Sequence, residues 1–243
     1  MKQKETLSNT PHHNGNGHIN GHNIEAIIEE VGDEHIGTSL DTPMRAGAFE
    51  KTDEEKINLI SEHFEQIMDI LGLDLTDDSL SGTPQRVAKM YVKEIFGGLD
   101  PKNRPDVKLF ENKYKYGEML VEKDINFYTN CEHHFVPIFG RAHVAYISNG
   151  KVAGLSKLNR IVRYYAKRPQ VQERFTQQII DDLKKALHTE DVAVIIDAKH
   201  LCVSMRGVED ITSSTVTASY SGEFKKTEVK QELFKYLEMN AEG

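Results

Sequence analysis

From residue 53 onward the apolar residues first keep helical spacing and then switch to strand alternation, and this switch restricts the chain to a mixed architecture. Ile57, Ile60, Phe64, Ile67 and Leu71 lie on one helical stripe, with Asp53 as the expected N-cap and Gly72 as the stop. A second helix is predicted to open at Thr83-Pro84 and to run through Val87, Met90, Tyr91 and Ile95 to Gly97-Gly98. Strands are predicted at 118–128 and 135–148, the latter alternating Ala142, Val144 and Tyr146 against His143, Ala145 and Ile147. Two helices follow. One has Ser156 as its expected N-cap before Leu158, Ile161, Val162 and Tyr165; the other is opened by Pro169 and carries Phe175, Ile179, Leu183 and Leu187. Residues 192–203 and 215–224 read as further strands, and Val229, Leu233 and Leu237 as a closing helix. The expected class is α+β, an antiparallel sheet with helices packed on one side.

Residues 1–50 have a different character. Segment 9–23 is mostly Asn, Gly and His with little to bury, so 1–50 is expected to be a flexible polar leader, with one or two helical turns at Ile24–Val31. Residues 51–243 are expected to form the folded, catalytic domain. Three basic and eight acidic residues fall in 1–50, leaving 27 basic and 30 acidic in 51–243. That near-balance argues against a nucleic-acid binder. No apolar run approaches 18 residues, and the start of the chain has no apolar signal-like stretch, so a cytoplasmic protein with no membrane span is expected. Two cysteines cannot build a disulfide scaffold.

Those cysteines lie in the densest chemistry. Cys131 and His134 are three apart in Cys131-Glu132-His133-His134, so both can reach one ion from a turn. The other thiol, Cys202, follows His200 by two residues at the end of a predicted strand, where both would project to one side. Cys131, His134 and Cys202 on one zinc leave a fourth position for solvent, the pattern of catalytic rather than structural sites. His133 and His200 then remain as proton carriers, work suited to an imidazole pKa of about 6.5. Two alternatives stand beside this: a closed site with His133 or His200 as a fourth ligand, and ordinary buried cysteines beside surface histidines.

The segment Gly154-Leu155-Ser156-Lys157-Leu158-Asn159-Arg160 sets a hydroxyl and two cations at a helix start, where free N–H groups favour an anion. Arg86 and Arg206 could add charge, the latter four residues past Cys202. Together they point to a phosphorylated ligand. Gln172-Glu173 opens the long helix; Glu173 is either an exposed helix-start acid or an acceptor of paired N–H bonds from a guanine-type edge.

In these residues and their order the chain resembles GTP cyclohydrolase I. The resemblance is carried, in family order, by TPQRVAKM at 83–90, CEHHFVP at 131–137, GLSKLNRIV at 154–162, RPQVQER at 168–174 and HLCVSMRG at 200–207. It spans roughly 53–238. It implies conversion of GTP and water to formate and dihydroneopterin triphosphate, the entry to folate or tetrahydrobiopterin. It implies one Zn2+ per subunit on Cys131, His134 and Cys202, proton transfer by His133 and His200, and a triphosphate held by Arg86, Ser156, Lys157, Arg160 and Arg206. Gln172 and Glu173 would read the guanine. The implied fold is the tunnelling or T-fold, whose subunits close sheets into a barrel and assemble as a homodecamer with active sites at subunit contacts. The competing readings are a GTP-binding zinc oligomer without turnover and a nucleobase deaminase; the latter expects a CxxC pair, which this chain lacks.

Overall fold

The structure, a computed structural model, describes residues 39–239. The turns expected at Ile24–Val31, and most of the expected leader, lie outside the described residues. Helix α1 (Asp53–Ile70) is capped by Thr52 rather than Asp53. The Thr52 hydroxyl accepts from the Glu55 amide while the Glu55 carboxylate accepts from the Thr52 amide, a reciprocal pair that a cap one residue later would forfeit. Gly72, at φ 79°, ends the helix as expected. Its N–H reaches Asp69 O and that of Leu73 reaches Met68 O, satisfying the last carbonyls. Helix α2 (Thr83–Met90) includes Thr83 and is preceded by Gly82; it continues as a π-helical turn, Tyr91–Ile95.

The chain then forms β1 (Leu109–Glu111), β2 (Met119–Cys131), β3 (Pro137–Ile147) and β4 (Lys151–Ala153). Helix α3 (Leu155–Ala166) starts after Gly154, whose extended backbone makes it the N-cap; Ser156 lies inside the first turn. Pro169 does not open a helix. It forms β5 (Pro169–Gln170), which pairs in parallel with Asn130 and Cys131, and α4 (Gln172–Leu187) begins after it. Strand β6 (Val192–His200) ends earlier than expected and gives way to a single helical turn, α5 (Leu201–Ser204). Strand β7 (Thr215–Tyr220) and helix α6 (Thr227–Glu238) complete the described residues.

The main sheet has the order β5-β2-β3-β6-β7, antiparallel apart from the β5–β2 edge. Even-numbered positions of β3 and β6 (Ala142, Val144, Tyr146, Val194, Ile196) pack against α3 and α4 through Leu158, Ile161, Phe175, Ile179 and Leu183. Odd-numbered Ala145 and Ile195 face the other way and meet Phe224 and Leu233, so α6 covers part of the second face. The α+β class is as expected, with that helix as the exception to one-sided packing. A bulge between Glu122 and Ile125 puts Asp124 at φ 58°, its N–H donating to His143 Nδ1.

One backbone contact fixes the end of α3. The Gly98 amide donates to Lys167 O at 2.9 Å, and Arg168 Nε donates back to Gly98 O at 2.8 Å. A Cβ on Gly98 would stand 2.1 Å from Tyr164 O, a separation that only glycine avoids.

Candidate metal centre

Cys131 is the last residue of β2, and the next three form a turn. Phe135 closes it at φ 53°, with its N–H on Cys131 O at 2.8 Å, while Cys131 N–H reaches Val136 O at 2.9 Å. The Asn130 side chain donates to Phe135 O, holding this uncommon backbone conformation. Glu132 is anchored twice. Its N–H donates to Gln170 O, and its carboxylate pairs with the buried guanidinium of Arg174, which also donates to Pro169 O and Gln170 Oε1. The motif is therefore fastened to β5 and to the first turn of α4.

Cys202 arrives from the far side of β3. Ile138 pairs with His200, so the short helix α5 carries Cys202 over the start of β3 toward the end of β2. The donor atoms of Cys131, His134 and Cys202 all lie within 4.8 Å of one another. Among the described residues no fourth His, Cys, Asp or Glu joins this group. Two thiols and an imidazole are the donors that zinc favours, so the set fits that ion. Burial, and then the neighbouring Cys131, push the Cys202 thiol up to about 11. A nearby divalent cation would relieve that resistance to ionising.

The two remaining histidines stand outside the three-donor set. His133 Nδ1 is 3.7 Å from Cys131 Sγ, and its ring meets that of His134 edge-on. His200 does not share a strand face with Cys202, because the strand has ended; its Nε2 lies 2.7 Å from Gln172 Oε1. Burial lowers the His200 pKa, and the Glu173 carboxylate opposes that shift. Glu173 itself is exposed at the start of α4, close enough to be felt by His200.

The expected anion residues are dispersed. Arg206 Nη1 is 3.2 Å from His134 Nε2, beside the donor cluster. Arg86 donates to Ser79 O and Thr83 Oγ1, bracing the start of α2. Asn159 of α3 donates to Glu122, nine residues before Cys131 on β2, which places the start of α3 roughly 25–30 Å along the strand from the thiol. Ser156 and Lys157 therefore stand at the opposite end of β2 from the metal donors. Arg160, one turn on, borders a cavity of about 1210 Å³ that Phe135 also borders. Arg163 and Lys167 line the same cavity. Their spacing from Arg160 puts them on one helix face, a signal already present in the sequence. The Arg174–Glu132 pair has no such signal, since its members lie 42 residues apart. Among the described residues, no helix is long and apolar enough to cross a membrane.

Comparison with known proteins adds a family. The model of the family described as GTP cyclohydrolase I matches residues 60–238. GTP cyclohydrolase 1 of Flavobacterium johnsoniae is 59% identical over 220 residues, covering 90% of this chain and 99% of that one. The protein of the same name from Vibrio cholerae is 56% identical over 186 residues, covering 76% and 85%. That from Erwinia tasmaniensis is 51% identical over 199 residues, covering 82% and 90%.

Proposed function

Since the chain belongs to the GTP cyclohydrolase I family, we propose that it hydrolyses GTP with opening of the purine imidazole ring, release of formate and closure to dihydroneopterin triphosphate. The observation that carries this reading is the meeting of Cys131, His134 and Cys202 within 4.8 Å. These three would hold one Zn2+ per subunit. Bound there, zinc acts as a Lewis acid and lowers the pKa of water to about 7.

The chain's own groups do the rest. His133, beside Cys131, and His200, beside Glu173, carry protons to and from the opening ring and the rearranging ribose. Glu173 offers two acceptor oxygens to the guanine edge. Arg206 holds charge next to the donor cluster. Arg86, Ser156, Lys157 and Arg160 bind the triphosphate far from the reacting carbon and hold that carbon in place. Ser156 and Lys157 lie a strand's length from the donors of their own chain, so they serve a site completed by a neighbouring subunit. T-fold subunits closing into a barrel, and a homodecamer, supply that neighbour. Residues 51–243 form the catalytic domain of a cytoplasmic enzyme feeding pterin synthesis, and residues 1–50 are a leader, the end of which (Pro43, Met44, Arg45, Ala48 and Phe49) lines the cavity that Arg160 borders.

Metal-replete, assembled protein given GTP should release formate and yield a product that becomes a fluorescent pterin on oxidation. Bound GTP recovered unchanged supports a non-catalytic binding oligomer instead, and ammonia in place of formate supports a deaminase.

A further inference from the structure

We infer that Gln172 is a positioning residue for His200: its amide, aimed by β6 and β7, accepts from the Nε2 side of the imidazole and so fixes the ring's orientation and tautomer. This rests on the cyclohydrolase reading for its chemistry, but the geometry stands by itself. The Gln172 side chain is buried, 4% exposed. Its Nε2 lies 2.8 Å from Thr215 O, 3.2 Å from Ile196 O and 3.2 Å from Thr217 Oγ1. Peptide carbonyls only accept, so the nitrogen end of the amide must face them. Turning the amide over would set its oxygen against two carbonyl oxygens with no hydrogen between them, a repulsive contact. The orientation is thus settled by β6 and β7, not by the histidine.

With that end fixed, Oε1 faces His200 Nε2 at 2.7 Å and can only accept. His200 Nε2 must therefore carry the hydrogen, and in the neutral ring Nδ1 keeps the lone pair. A hydroxyl pair stiffens the arrangement. Thr176 Oγ1 donates to Gln172 O at 2.8 Å and lies 2.7 Å from Thr217 Oγ1. The Gln172 amide is fully engaged within the fold, so its contribution to the reaction passes through the histidine rather than through a base edge.

Two measurements test this. Sedimented, metal-replete full-length enzyme labelled with 15N-histidine, with the His200→Asn spectrum used for assignment, should show His200 protonated at Nε2 and bare at Nδ1 in the resting state. The reverse tautomer overturns the inference. Gln172→Met keeps the side chain's length and removes the acceptor. It should lower kcat about 10- to 100-fold, the usual effect of losing a histidine's supporting partner, with KM for GTP and zinc content unchanged. Gln172→Glu, as a neutral acid, keeps a carbonyl for His200 and a donor for the backbone, and should restore part of kcat. A raised KM with intact kcat points to guanine reading and overturns the inference, as does unchanged kcat in the Met variant. If that variant does not assemble, the wild-type spectrum decides. Failure of wild-type enzyme to release formate sinks the cyclohydrolase reading and leaves the tautomer result readable.

Discussion

At the C-terminal end of β2, Cys131 meets His134 and Cys202 within 4.8 Å, and all three donors belong to one chain. At the other end, Asn159 ties the start of α3 to Glu122, and Ser156 faces solvent beside Lys157. The first region is complete in the single chain; the second offers a helix terminus and cations with the donor cluster a strand's length away. Metal ligation demands donors within bonding distance, so the fold gathers them locally. Charge attraction reaches further, and a triphosphate can be held by a second chain.

The strongest challenge to this contrast is Cys202→Ser. It should leave the site without stoichiometric zinc and lower turnover about 1,000-fold or more, as expected when several kcal/mol of Lewis-acid stabilisation are lost. Full metal content would break the ligand assignment. His133→Ser should keep zinc and GTP binding yet lose about 100- to 10,000-fold in kcat, the range for a general acid or base. Loss of metal instead would make His133 a ligand. The division between chains is sharpened by co-assembly. Cys202→Ser and Lys157→Glu subunits, each nearly inactive alone, should regain part of the activity when mixed during assembly; no recovery would put both regions in one chain's site. Arg206→Ala should weaken GTP about 10- to 100-fold while sparing guanosine, the cost of one charge-assisted hydrogen bond. Equal losses would remove Arg206 from the phosphate. Least of all should follow from deleting residues 1–38, where turnover is expected to stay near the intact chain's value; its collapse would assign those residues to the working enzyme.

Much of this was legible in the sequence, for identifiable reasons. The alternation through 142–147 marked β3, and four-residue steps from Phe175 to Leu187 marked α4. Cys131 and His134 followed from spacing, and Cys202 from being the only other thiol. The end of β6 was not legible. Leu201, Cys202 and Val203 continue an apolar run, but β3 begins at Pro137, so pairing stops at His200 and the backbone turns into α5 to satisfy itself. Cys202 thus reaches the cluster by a route the sequence did not suggest. Thr52 as N-cap was readable from Thr-x-x-Glu, which Asp53 obscured. The engagement of Gln172 with His200 was hidden, since the two lie 28 residues apart and meet only once β7 has oriented the amide.

Gly98 carries no reactive atom and lies outside the donor cluster, yet inherited change there should be poorly tolerated. Even a methyl group would collide with Tyr164 O and Lys167 O. The displaced segment would drag Arg168, and with it the Pro169–Gln170 edge that steadies Cys131 and Glu132. Variation that spares every ligand could still silence the enzyme at this hinge of two backbones.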